Sequence, residues 1–185
     1  MPALHTGLRQ RGLTLIELLL FVVVVGIALS AMLKVFITAT AASADPMIRR
    51  QQLAIAESLL REVELMPFTW CDPAAPTAAT ANSTADCGGL VENLGAEAGE
   101  SRYAPGYFNN VNDYSGFSMT GIRDINNIAV PSLSGYGASV AVVAAALDNV
   151  PASEALQITV TVTAPDGSTL SLQGWRTRYA PQSTD

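Results

Sequence analysis

The side chains able to do chemistry are few in this chain, and one of them stands in an unusual place. Glu17 is the only charged residue in a run of 21 largely apolar residues, 13–33. The only histidine is His5, and the only cysteines are Cys71 and Cys87. Histidine-based acid–base catalysis and histidine metal ligation therefore depend on a residue close to the N-terminus. The sequence favours a function other than catalysis, and it predicts no cofactor and no metal ligands.

The charge of the chain is acidic and unevenly distributed. Ten basic residues oppose sixteen acidic ones, which gives a net charge of −6 over 185 residues. Arg9 and Arg11 lie in an N-terminal segment without acidic residues, so the chain from Leu13 onward has a net charge of −8. An acidic chain is poorly suited to bind a polyanion, which makes nucleic acid an improbable partner. The length fits one domain.

The apolar run is long enough to cross a membrane. As a helix, its 21 residues extend about 31 Å, which matches a hydrocarbon core of about 30 Å. Arg9 and Arg11 precede it, so the positive-inside rule places the short leader in the cytoplasm. A secretory signal peptide has a shorter apolar region, of about 7–15 residues. A passive anchor has no need of Glu17, because a carboxylate in a membrane helix costs about 2.5–3.5 kcal/mol and is usually functional.

The segment Arg11-Gly12-Leu13-Thr14-Leu15-Ile16-Glu17-Leu18-Leu19 resembles the processing motif of type IV prepilins and type II secretion pseudopilins. The resemblance implies that residues 1–12 are a leader, that a prepilin peptidase cuts between Gly12 and Leu13, and that the new terminus is N-methylated. Glu17 is then the fifth residue of the mature chain, where the family has its glutamate. One position differs, because Leu13 stands where phenylalanine is commoner.

The same resemblance implies a role for Glu17 in assembly. The free amine of Leu13 on one subunit would pair with Glu17 of a neighbour inside a bundle of apolar helices. Leaving one member of a buried ion pair alone typically costs about 3–5 kcal/mol, so the pair would set the register of the subunits. The implied partners are the peptidase, other pilins and an inner-membrane assembly platform. The implied location is the bacterial inner membrane, with a periplasmic head, and then the pilus.

The helical pattern continues beyond the membrane to about Met66. Asp45-Pro46 predicts a kink or a short break, because proline removes a hydrogen bond and restricts the residue before it. The pattern then predicts an amphipathic helix with charged residues, Arg50 and Arg61 among them, on its other faces. Its apolar stripe, expected to pack on a sheet, is Ile48, Gln52, Ile55, Leu59, Val63 and Met66.

The sequence of residues 67–185 predicts a head made of a loop and an antiparallel sheet. Small and polar residues dominate 73–99, and Cys71 and Cys87 lie at or near its ends. Outside the cytoplasm these cysteines are expected to form a disulfide, and too few other ligands are present for a metal site. Period-two patterns predict about four strands within 116–120, 138–145, 155–163 and 169–172. Pro165-Asp166-Gly167 predicts the turn between the last two. The predicted class is α+β, with a long N-terminal helix packed on a small antiparallel sheet, which is also the pilin architecture.

Residues 109–116, Asn-Asn-Val-Asn-Asp-Tyr-Ser-Gly, contain several oxygen ligands and leave two interpretations open. They lack the spacing of a calcium-binding EF-hand loop, which favours an Asx-rich turn that enters a strand. Residues 113–117 (Asp-Tyr-Ser-Gly-Phe) and 65–68 (Leu-Met-Pro-Phe) resemble minor pilins of the mannose-sensitive haemagglutinin type, MshD in particular.

These observations favour a minor type IV pilin-like subunit that primes, caps or decorates a filament. A pseudopilin of a type II secretion system is an alternative within the same class. An alternative of another class is a membrane-anchored adhesion or binding protein. Aromatic side chains of its outer domain would then contact the ligand, although core packing is the commoner role of such residues. The candidates are Trp70, Tyr103, Tyr107, Tyr136 and Trp175.

Overall fold

The computed structural model describes Gly12 and residues 14–178, and only the backbone of residues 38–45. The chain divides into two compact units, with the boundary between Met47 and Ile48. Helix α1, Leu15–Glu64, includes this boundary. Of the kink or short break predicted at Asp45-Pro46, the break is wrong, since both residues belong to α1, and the kink stays a prediction. Proline lacks one N–H donor, and the helical turns before and after it keep their own hydrogen bonds.

The N-terminal part of α1 exposes its apolar side chains on every side. Leu15–Ile37 is long and apolar enough to cross a membrane, and no other described helix meets that criterion. Val25 is half-buried and every other residue of this stretch is exposed. A helix that is apolar all round requires an apolar surrounding, such as a bilayer or a bundle of helices. This supports membrane anchoring, as the sequence predicted.

The C-terminal part of α1 is amphipathic and packs on the sheet of the second unit. Gln52, Ile55, Leu59 and Val63 are buried, as the stripe predicted. Ile48 and Met66 are partly buried against the same core. Arg50 and Arg61 are exposed, as expected of its other faces. α1 ends at Glu64, two residues before the predicted Met66, and hydrogen bonds from Leu65 N–H to Arg61 O and from Met66 N–H to Val63 O follow it.

Four antiparallel strands form one sheet in the order β1-β2-β3-β4. They are β1, Ser118–Thr120; β2, Gly137–Ala144; β3, Ala155–Thr163; and β4, Thr169–Thr177. β3 has the predicted bounds, and β4 extends five residues beyond the predicted Leu172. Thr163 pairs with Thr169 across the turn at 165–167, which confirms the predicted hairpin.

One face of the sheet forms the core with α1. Alternate residues of the two central strands are buried against Ile55, Ala56, Leu59 and Val63 of the helix: Ala138, Val140 and Val142 from β2, and Leu156, Ile158, Val160 and Val162 from β3. The buried residues of the strands, spaced by two, therefore pack against the buried residues of the helix, spaced by three or four, in one apolar layer. The α+β class and the helix-on-sheet packing agree with the sequence.

The long segment between α1 and β1 consists mainly of turns, as the composition of 73–99 predicted. It contains two short 3₁₀ turns, Thr84–Cys87 and Asn112–Tyr114. Cys71 and Cys87 are joined by a disulfide, with their Cα atoms 5.2 Å apart. A second small apolar cluster of Ala75, Ala78 and Ala81 surrounds it. The disulfide prediction is therefore confirmed.

Candidate functional site

The predicted processing site is described only in part. Gly12 is described and is exposed, whereas Leu13 and residues 1–11, with His5, Arg9 and Arg11, lie outside the described residues. The first helical turn begins at Thr14, whose carbonyl oxygen accepts from Glu17 N–H at 3.1 Å and from Leu18 N–H at 3.2 Å. Cleavage and N-methylation stay predictions.

Glu17 lies in the first turn of α1, exposed among exposed apolar side chains. A carboxylate is favoured at a helix N-terminus, because the unpaired N–H groups give that end a partial positive charge. Leu15 and Ile16 beside it are 82% and 75% exposed. A charged group among apolar side chains that face outward is available to a neighbouring molecule.

An ion pair between buried Arg102 and half-buried Glu62 joins the amphipathic part of α1 to the loop that precedes β1. Arg102 Nε lies 2.6 Å from Glu62 Oε1, and Arg102 Nη2 lies 2.7 Å from Glu62 Oε2, so the pair is bidentate. Tyr114 Oη donates to Glu62 Oε1 at 2.8 Å, and burial beside this carboxylate raises the pKa of Tyr114. The sequence placed Glu62 on a face away from the core and did not identify this contact.

Arg178, the residue after β4, contacts the segment that follows α1. Its guanidinium carbon lies 3.6 Å from the ring centroid of Phe68 and 3.9 Å from that of Trp70. Its Nη1 donates to the carbonyl oxygens of Phe68 and Thr69. These contacts fasten the residue after β4 to the segment after α1, and they use Trp70 as a packing surface.

The other aromatic candidates have mixed surroundings. Tyr136 is 4% exposed and belongs to the main core, whereas Tyr107 is 45% exposed. Tyr103 and Trp175 are half-buried. Core packing accounts for Tyr136, as the sequence favoured, and Tyr107 presents the most accessible ring of this set.

Residues 109–116 form a turn that precedes β1, as the sequence favoured, but its hydrogen bonds differ from those of an Asx turn. Asp113 Oδ2 accepts from the backbone N–H of Asn109 at 2.8 Å and from that of Asn110 at 2.7 Å. The 3₁₀ turn Asn112–Tyr114 follows, and the chain then enters β1. The carboxylate thus accepts from residues three and four positions before it, whereas in an Asx turn it accepts from the N–H two residues after it.

Asp113 also meets two glutamates that the sequence did not single out. One carboxylate oxygen from each of Glu92, Glu97 and Asp113 lies within 4.8 Å of the other two. Burial and the neighbouring carboxylates raise the pKa of Glu92, and burial raises the pKa of Asp113. The glutamates are 16 or more residues from Asp113 in the sequence, so no local spacing could have predicted this cluster.

Comparison with known proteins found no matching family model, no matching curated protein and no matching solved structure.

Proposed function

We propose that the chain is a type IV pilin-like structural subunit of the minor pilin kind. In this proposal a prepilin peptidase removes residues 1–12 and methylates Leu13. The mature helix then leaves the membrane and packs among other pilin helices. The head stays on the outside of the filament, which the subunit primes, caps or decorates. The protein is a substrate of an enzyme and is not itself an enzyme.

The observation that supports the proposal most is the position of Glu17 within an exposed helix that is otherwise largely apolar. Along Leu15–Ile37 the hydropathy averages 2.7 and none of the most apolar window is buried. A plain anchor needs only apolar residues, and the carboxylate adds a cost in the bilayer. A cationic α-amine supplied by a neighbouring subunit would offset that cost, and the motif around Gly12 creates such an amine after cleavage.

The arrangement of the head also supports the proposal. The amphipathic part of α1 packs on a four-stranded antiparallel sheet through an apolar core, and the pair of Glu62 and Arg102 joins it to the loop that precedes β1. A helix that is bound to a rigid head at one end and apolar at the other is suited to fill a filament core while displaying that head. The same arrangement fits a pseudopilin, and no separate observation favours that alternative.

The experiment is to measure incorporation of Glu17→Val into filaments in a strain that assembles them. We expect membrane insertion to be unchanged or improved and incorporation to fall by about tenfold or more, because an unpaired α-amine would stay in the apolar bundle. The matched control is Glu57→Gln, which removes an exposed carboxylate from the amphipathic part of the same helix and should incorporate normally. Normal incorporation of Glu17→Val would contradict the assembly role.

A further inference from the structure

A cavity lies between the amphipathic part of α1 and the loop that joins β1 to β2. Its volume of about 520 Å³ falls within the range of about 300–1,000 Å³ that is typical of small-molecule sites. The apolar lining includes Ile55 and Leu59 of α1, Met119 of β1, and Ile122, Val130 and Leu133 of the loop. All of these residues belong to the second unit of the chain, so the cavity does not involve the exposed apolar helix.

The loop between β1 and β2, residues 121–136, is held in place by its own hydrogen bonds. Ile122 N–H donates to Leu133 O at 3.2 Å. Asp124 N–H donates to Ile128 O at 2.9 Å, and Asp124 Oδ1 accepts from Ile128 N–H at 2.8 Å. These bonds fix the wall of the cavity without a ligand, and a preformed wall lowers the entropic cost of binding.

Part of the apolar lining is left accessible by the chain itself. Met119, Val130 and Leu133 are half-buried although they pack against the main core. Ile125 of the same loop also lines the cavity and is 41% exposed. An apolar molecule in the cavity would remove this surface from water, which is favourable in proportion to the area covered.

The buried polar groups of the cavity are already paired with one another. Arg102 donates from Nε and Nη2 to Glu62, and from Nη1 to the carbonyl oxygen of Arg123 at 2.9 Å. The lining residues are all described, and none of their buried side-chain nitrogen or oxygen atoms lacks a partner. Two acidic and two basic side chains line the cavity, so its net charge is zero. To bind an anion, Arg102 would have to release Glu62, which is costly away from water.

We infer that this cavity binds a neutral aliphatic molecule, such as a medium-chain alcohol or ester. No aromatic ring is among the lining residues, all of which are described, so stacking gives no advantage to a flat aromatic ligand. Branched aliphatic walls and the flexible side chain of Met119 suit an alkyl chain. Ser58, which is exposed on α1 and also lines the cavity, adds a hydroxyl for one polar end group.

A segment of another protein fits this cavity less well than a small molecule does. Every residue of a peptide brings a backbone N–H or C=O group that needs a partner when it is buried. The buried polar groups of this cavity are engaged within the chain. An inserted backbone would therefore lose hydrogen bonds to water without replacing them, whereas an alkyl chain has none to lose.

The direct test uses the full chain with Ser58→Cys in detergent micelles. Cys71 and Cys87 are joined in a disulfide and are the only native cysteines, so N-ethylmaleimide would alkylate the introduced thiol. We expect 1-octanol to slow this alkylation saturably, by about fivefold or more once the site is mostly occupied. The matched control is Glu57→Cys, at an exposed position beside the cavity that is not part of its lining. No slowing in Ser58→Cys, or equal slowing in both variants, would overturn the inference.

A ligand series tests the chemical class. Octanoate and octylammonium have the same chain length as 1-octanol, and we expect each to need a free concentration about tenfold higher or more, because its charge must lose water. Each methylene removed from the alcohol should raise the half-protecting concentration by about two- to fourfold. Free concentrations are measured by dialysis across a membrane that retains the micelles. Equal or better protection by either ion, or no dependence on chain length, would overturn the neutral aliphatic character.

Two leucine substitutions assign the protection to this cavity. Ala54→Leu, made in the Ser58→Cys chain, enlarges an exposed lining residue and should raise the half-protecting concentration of 1-octanol by about tenfold or more as it fills the space. Glu57→Leu adds the same side chain outside the lining and should leave protection unchanged. Thermal unfolding verifies that both variants fold. Unchanged protection in Ala54→Leu would place the alcohol elsewhere and overturn the assignment.

The same thiol distinguishes a small molecule from a neighbouring subunit. In filaments that contain the Ser58→Cys chain, we expect the thiol to stay reactive and 1-octanol to protect it as in micelles. A thiol that is blocked in filaments, and that 1-octanol fails to protect in micelles, would assign the cavity to a protein neighbour and overturn the inference.

Discussion

The two parts of α1 differ in where their apolar side chains find partners. Along Leu15–Ile37 nearly every side chain is exposed, and apolar residues occur on all faces. In residues 48–64 the apolar side chains follow one stripe and are buried against β2 and β3. The comparison shows that hydrophobicity alone does not indicate a core. Periodicity separates a surface that is satisfied within the chain from one that requires a bilayer or other subunits.

The largest expected effect comes from a matched pair of leucine substitutions, one in each part of α1. Leu59→Ala removes a side chain that is 3% exposed, and it should lower the free energy of unfolding of the head by about 2–5 kcal/mol. Leu29→Ala removes one that is 55% exposed, and it should change that free energy by less than about 0.5 kcal/mol. Denaturant unfolding of the full chain in micelles, followed by tryptophan fluorescence, measures both. Similar losses for the two variants would mean that the two parts of α1 are not distinct.

A second effect should come from the ion pair that fixes the amphipathic part of α1 to the loop. Arg102→Ala leaves the partly buried carboxylate of Glu62 without its cation, and it should cost about 2–3 kcal/mol in the same unfolding measurement. Arg61→Ala removes the exposed arginine beside Glu62 and should cost less than about 0.5 kcal/mol. Equal effects of the two substitutions would show that the pair adds nothing beyond surface charge.

A somewhat smaller effect should come from the disulfide, which is confined to the head. Cys71 and Cys87 are separated by 16 positions, and opening a loop of that length removes about 2–3 kcal/mol in the chain-entropy description. The double variant Cys71→Ser with Cys87→Ser should therefore unfold at lower denaturant concentration. Its membrane insertion should equal that of the parent, since insertion depends on Leu15–Ile37. A loss of insertion would contradict the separation of the two regions.

Local sequence patterns were sufficient to predict most of the fold. The alternation of β3 gave the bounds Ala155–Thr163, and the buried stripe of α1 followed from its spacing. β4 was predicted too short because Gln173-Gly174 interrupts the alternation of polar and apolar residues, although pairing with β3 continues to Thr177. The break at Asp45-Pro46 was wrong because a single missing donor does not end a long helix.

The contacts within the head were harder to predict because they join residues that are distant in the sequence. Glu62 meets Arg102 across 40 positions, and the helical pattern of charged residues gave no indication of this partner. Glu92 and Glu97 lie in a segment whose composition indicated only a loop, so attention to residues 109–116 found Asp113 and missed its neighbours. The processing motif is local, and for that reason Gly12, Leu13 and Glu17 could be proposed from the sequence.

The most direct test of the proposed function is the mass of the mature N-terminus. The chain should be produced in a cell with a prepilin peptidase, purified from membranes and analysed by mass spectrometry. We expect a chain that begins at Leu13 and has one added methyl group. Gly12→Val should retain residues 1–12, while Gly26→Val, at a glycine whose Cβ would meet no atom within 4 Å, should be cleaved normally. A parent chain that still begins at Met1 would contradict the pilin-like function.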